Sequence, residues 1–272
     1  MIAQVLSPRL RPLQQALASV GRLVRRRSAF LLMLAALFGG IFREAVRPST
    51  WRRTVRAEFM RTLQQAAGRG LASALITAIL AGLAMVAEAL YWLGLAGQQE
   101  LVGPILVTLL LREITPLLIG LLLLGRSGTV AVHELSALQL GGQTRTLTSQ
   151  GIDPFLLLVL PRALGLAVAS FTLGVVFAFT ALVVGFVFGN LLGSVQGSLW
   201  SFLDHILSAM QAVDFVVFPA KMLLIGLMVA LTTCLTAMSA HPNEDAAILL
   251  PRGFVRGLLA IMLTSLVLSL AA

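Results

Sequence analysis

The chain has 272 residues, 58% of them apolar and only 11% charged, with a mean hydropathy of +0.95. Soluble domains carry about 25% charged residues, so a soluble fold has nowhere to hide this much apolar surface, whereas a bilayer does. The net charge of +9 does not indicate nucleic acid as partner: 13 of the 20 Lys and Arg residues fall within the first 69 positions, beside an apolar stripe, which is the pattern of a cytoplasmic membrane surface.

Cys234 is the single cysteine, so no intrachain disulfide is possible. His133, His205 and His241 show no metal-ligand spacing with it or with one another, and no metal site is expected. The first 28 residues hold six arginines and no apolar core, so no cleavable signal peptide is expected there.

In chain order, Leu6, Leu10, Leu13, Leu17, Val20 and Val24 recur at helical spacing. Arg9, Arg22 and Arg25 to Arg27 decorate the other face, which predicts an amphipathic helix lying on the membrane. Ala29–Phe42 is apolar but only 14 residues long, short of the roughly 20 that a span needs, and reads as a shallow or re-entrant helix. Arg43–Arg69 is basic again, with Trp51, Val55 and Phe59 as interfacial anchors. Residues 1–69 thus form a basic interfacial region, and 70–272 a membrane domain.

That domain is expected to be all-α with five spans. The first is Leu71–Leu95, with Glu88 as its one charge and Tyr91 and Trp92 near its outer end. Gly103–Leu124 returns, carrying Arg112 and Glu113. Gly125–Asp153 is a polar loop, helical in part. Phe155–Gly193 is either one long tilted span or two spans joined by a tight turn. Ser194–Ala212 is polar, with Asp204 and His205; Val213–Ala240 is a span containing Asp214 and Lys221; Gly257–Ala272 is the last. Arginines cluster in the N-terminal region, in Gly125–Arg162 and at Arg252 and Arg256, while the other loops have none. Five spans with a cytoplasmic N-terminus satisfy the positive-inside rule; six would place Arg252 outside.

The chemistry-bearing features are few. A charged group inside hydrocarbon costs roughly 2.5–3.5 kcal/mol on insertion scales and is usually kept for function or pairing. Arg112 and Glu113 are adjacent, so on a helix they point about 100° apart and need different partners; Lys221 and Glu88 are the candidates. No Gly-x-x-x-x-Gly-Lys-Ser/Thr run is present to cradle ATP phosphates. Gly125-Arg126-Ser127-Gly128-Thr129 is not a nucleophile elbow, and Ser127, His133 and Asp153 are only loosely placed for hydrolase chemistry. No catalytic residue is expected. Gly165, Ala169, Gly174 and Ala178 permit close helix approach along the third span.

The block Leu110-Leu111-Arg112-Glu113-Ile114-Thr115-Pro116, then Gly125-Arg126-Ser127-Gly128 and Glu134, and finally Asp153-Pro154, resembles the MlaE/YrbE family of ABC-transporter permeases. Asp214 and Lys221, seven apart, match that family's pattern entering the fourth span. Departures fall mostly in the polar loop: His133 stands for Ala, Gly142-Gln143 for Glu-Gln, and Thr148 for an acidic residue. Glu88 stands for a Gln in the first span, and Asn243–Gly253, with Pro251, replaces a Gly-rich segment.

The resemblance implies a mechanism. Two permease chains, as a homodimer, enclose a lipid-accessible cavity in the bacterial inner membrane. Glu88, Arg112, Glu113 and Lys221 would be its polar midplane groups. A cytoplasmic ABC ATPase, which uses the ATP, grips the coupling loop 125–153 through Arg126, His133, Glu134, Gln143 and Arg145. Pro116, Gly125, Gly128, Asp153, Pro154 and Asp214 are the structural motif positions. A periplasmic MCE-domain protein exchanges phospholipid with the cavity. The permease chain itself needs no cofactor. The alternative is a non-transporting scaffold subunit, which the residues at Gly142 and Thr148 favour.

Overall fold

The computed structural model describes residues 30, 32–97, 101–191, 198–240, 244 and 246–271. Among these, every regular element is helical. The amphipathic helix expected over Leu6–Val24 lies outside the described residues, as do His241 and Asp245. The chain divides into two units, Met1–Val46 and Arg47–Ala272.

In the first unit, helix α1 covers residues 32–45, with Leu32, Met33 and Phe42 exposed. At 1.5 Å per residue it is roughly 20 Å long, less than a bilayer core of about 30 Å.

The second unit contains α2 (Arg53–Leu95), α3 (Val102–Leu140), α4 (Gln143–Ser149), α5 (Phe155–Leu191), α6 (Leu199–Ala209), α7 (Asp214–Met238) and α8 (Ala246–Ala271). Five of them, α2, α3, α5, α7 and α8, are long and apolar enough to cross a membrane, as the sequence predicted. In hydrocarbon each backbone N–H and C=O must be satisfied within its own segment, so apolar runs of this length form helices. The chain is a multi-pass membrane protein.

Four boundaries differ from expectation. The last span starts at Ala246 rather than Gly257, so most of the expected polar turn before it is helix. The basic segment before the first span is not separate: α2 starts at Arg53 and runs unbroken, absorbing Gly68 and Gly70 through a π turn at Gln64–Gly68. The second span does not stop at Leu124. It continues through a π turn at Leu124–Gly128 to Leu140, so most of the predicted loop is helix. Gly128 survives there because α7 approaches closely; a Cβ on it would meet Thr233 Cγ2 at 3.1 Å. The third span is one helix of 37 residues, which settles the choice against two spans. At about 1.5 Å per residue α2, α3 and α5 each exceed the hydrocarbon core and project beyond it.

The turn between α3 and α5 depends on two left-handed glycines, Gly142 (φ 73°) and Gly151 (φ 76°), which bracket the seven-residue α4. Asp153 then starts α5: its Oδ1 accepts from the Phe155 N–H at 2.9 Å, while Pro154 needs no partner for a nitrogen that carries no hydrogen. Ser194–Ala212, expected as a polar loop, contains α6, whose first turn is capped by the Ser198 hydroxyl accepting from the Ser201 N–H at 3.2 Å.

Helix α7 sits at the centre, packed by α3, α5 and α8, while α2 runs along α5. Backbone proximity sets these contacts. A Cβ on Gly82 would lie 2.4 Å from the Ala181 carbonyl oxygen, and one on Gly226 would lie 2.4 Å from that of Leu166. The small residues Gly165, Ala169, Gly174 and Ala178 of α5 are all buried.

Candidate functional site

Arg112 and Glu113 lie in a π-helical stretch of α3, Val107–Ile114, whose Val107, Leu110 and Leu111 face inward. The two charged side chains find separate partners. Arg112 Nε donates to Asp214 Oδ1 at 2.5 Å. Asp214 is the first residue of α7, and its Oδ2 accepts from the Gln211 N–H at 2.8 Å. Two helical turns further on, Lys221 Nζ donates to Glu113 Oε1 at 3.2 Å and to Ser269 Oγ of α8 at 2.7 Å.

Lys221 also donates to the Arg112 carbonyl oxygen. Pro116 leaves that oxygen without an α-helical donor. A residue four positions on would return its N–H to this carbonyl, and proline has none. Pro116 is therefore part of the site: it opens one carbonyl in α3, and the ammonium of α7 fills it. Ser269 Oγ lies 2.5 Å from Glu113 Oε1, and Ser265 Oγ lies 3.4 Å from Oε2.

The result is a neutral four-charge network stapling α3, α7 and α8. It is graded in exposure. Lys221 is 1% exposed and Asp214 3%, but Arg112 is 26% and Glu113 37% exposed. One side of the network is locked and the other opens outward. The chain's only lysine is thus the most deeply buried charge among the described residues. Removing one member would strand an opposite charge, a change that costs about 3–5 kcal/mol for buried pairs.

Glu88, expected as a partner for this cluster, is not in it. It is exposed on α2 and has no ion-pair partner among the described residues. Val86, Ala87 and Leu90 occupy the inward face there, so the carboxylate points away. Asp214 takes the role instead. Ser265 and Ser269 were missed by sequence reasoning, although their i, i+4 spacing in an apolar span was the available signal.

At the other end of the bundle, the residues expected on the coupling loop divide into two sets. Arg126 and Glu134 turn back onto the spans. Arg126 Nη2 donates to the Gln65 carbonyl of α2 at 2.6 Å, joining the π turns of α2 and α3, and Glu134 Oε2 accepts from Arg162 Nη2 of α5 at 2.8 Å. His133, Gln143, Arg145 and Thr148 are exposed. Gly125 has nothing within 4 Å of a Cβ, so no crowding requires a glycine there. No hydrogen bond links Ser127, His133 and Asp153 among the described residues, and Asp153 Oδ1 is engaged by Phe155. No three of His, Cys, Asp and Glu gather to hold a metal among them either.

The family described as Permease MlaE matches residues 59–271. The chain belongs to the MlaE permease family. That match takes in nearly all of the membrane domain, both ends of the charged network and the segment between α3 and α5. A relative from Arabidopsis thaliana, Protein TRIGALACTOSYLDIACYLGLYCEROL 1, chloroplastic, is 26% identical over 155 residues. The likeness covers 54% of this chain and 42% of the plant protein. In this MlaE permease, the network joins α8 to the two helices that bear the sequence motifs.

Proposed function

We propose that this chain is the membrane-spanning subunit of an ABC transporter that moves phospholipid. A second copy of the chain, a separate cytoplasmic ATPase and a periplasmic MCE-domain protein complete the assembly in a bacterial inner membrane. The observation that carries this reading is the graded network of α3, α7 and α8 in a MlaE permease. Arg112 and Glu113 are partly exposed polar groups on an apolar span, and a lipid, polar at one end and apolar along its length, has matching chemistry. The name of the plant relative refers to a diacylglycerol lipid, which supports a lipid over a small polar solute.

The sequence has no phosphate-cradling loop, so ATP hydrolysis belongs to a partner. The exposed side chains of Gln143 and Arg145 on α4 are where that partner docks. Arginines concentrate on the α4 end of the bundle, which supports a cytoplasmic location for that end and for the N-terminus.

The test is affinity purification of the tagged chain from solubilised membranes, with mass spectrometry of proteins and lipids. Recovery of an ATPase, an MCE-domain protein and phospholipid supports the transporter. Recovery of the chain alone, or with a second permease and no ATPase, overturns it in favour of the scaffold that Gly142 and Thr148 suggest.

A further inference from the structure

Helix α6 connects the far ends of α5 and α7, on the side of the bundle opposite α4. It does not stand away from the bundle. Phe202 and Ile206 are buried, and the Phe202 ring lies 5.1 Å from that of Phe186 on α5. Phe186 is five residues before the end of α5, so α6 folds back to a level about 7.5 Å inside that end. On its other side, α6 packs against the first turn of α3. A Cβ on Gly103 would meet Ala209 Cβ at 3.0 Å and His205 Cδ2 at 3.2 Å.

The surroundings at that level are lipid-facing in character. Val187, Phe188 and Leu191 of α5 and Phe215 and Val216 of α7 are exposed. Tyr91 and Trp92, in edge contact, are exposed near the end of α2. On α6 itself, Trp200 is 80% exposed and Leu207, two turns on, is also exposed. Three of the chain's four Trp and Tyr residues therefore lie at this end of the bundle. Aromatic residues concentrate at membrane–water interfaces because their rings suit the apolar side and their N–H or O–H groups the wet one. Exposed Asp204, His205, Ser201 and Ser208 supply the polar flank of the helix. There is no Lys or Arg in α6.

We propose that α6 is an interfacial helix. Its Trp200 and Leu207 side lies in the headgroup–acyl boundary of the leaflet opposite α4, and its partner is the lipid surface itself. It continues the apolar belt of α5 and α7 sideways along the membrane plane. Attachment comes from apolar burial and the aromatic tip, so it does not require anionic lipid.

The test uses the full chain carrying W51F and W92F, which leaves Trp200 as the only tryptophan, reconstituted into phosphatidylcholine vesicles. Emission is compared with acyl chains brominated near the headgroup and near the methyl end. The expected result is a blue-shifted maximum, strong quenching by the shallow bromines and weak quenching by the deep ones. Added phosphatidylglycerol or salt leaves these unchanged. Quenching by neither lipid overturns the proposal. Emission typical of water then means a free helix, and shielding from aqueous acrylamide means a protein surface, such as a second copy, covers it. Stronger quenching by the deep bromines overturns it too. Should the double variant fail to reconstitute, a spin label on Leu207→Cys answers the same question, since Cys234 is buried. Greater access for oxygen than for a water-soluble nickel chelate is expected, and the reverse overturns the proposal.

Discussion

Lys221 shows how much one side chain can hold together in a low-dielectric interior. It meets Glu113, Ser269 and the Arg112 carbonyl, and so touches two other helices. Lys221→Met should destabilise the protein by about 3–5 kcal/mol, because Glu113 loses its cation and the Arg112 carbonyl its donor. Adding Glu113→Gln should recover part of that loss. A cycle of thermal unfolding midpoints in detergent should give a coupling of about 0.5–3 kcal/mol between the two; additive effects would mean the pair is not formed. Arg126 is a second such residue. Arg126→Gln should cost about 1–3 kcal/mol in the same assay by leaving the Gln65 carbonyl without its charged donor. The Arg112–Glu113 pair was legible in the sequence as a demand for two partners, and Lys221 was legible as one of them. Asp214 was visible as a motif position only, since nothing in the sequence says that the first residue of α7 faces residue 112. Glu88 misled because a charge in a span carries no sign of which face it occupies.

At the scale of elements, two glycines of similar appearance should behave in opposite ways. Gly82→Val places a side chain against the Ala181 backbone and should lower stability by about 1–3 kcal/mol, since neither helix axis can move freely. Gly125→Ala fills open space in a continuous helix and should raise stability by up to about 1 kcal/mol. Unfolding midpoints of both variants decide this; a destabilised Gly125→Ala would mean the residue is held in a conformation that alanine resists. The five spans were legible because length and hydropathy act locally. The unbroken courses of α2 and α3 were not. Glycine pairs at 68 and 70 and at 125 and 128 look like helix ends, but π turns and close neighbours keep the helices going.

For the molecule as a whole, the α4 end separates fold from partner. Gln143 and Arg145 are exposed, so Arg145→Glu should leave the unfolding midpoint within about 0.5 kcal/mol of wild type. If α4 is where an ATPase docks, the same variant should reduce the amount of ATPase that co-purifies; unchanged recovery would place the docking surface elsewhere. The sequence by itself determined that this is an all-helical membrane protein with five spans, basic at one end and charged within. Hydropathy and charge act on each segment independently of its neighbours, so their pattern survives in one dimension. Only the tertiary structure decided which charges meet, that Ser265 and Ser269 join them, that Arg126 and Glu134 turn inward, and that α6 folds back along the bundle. Each of these depends on the rotation of one helix about its axis relative to another. Side-chain packing between helices sets that rotation, and no single segment encodes it.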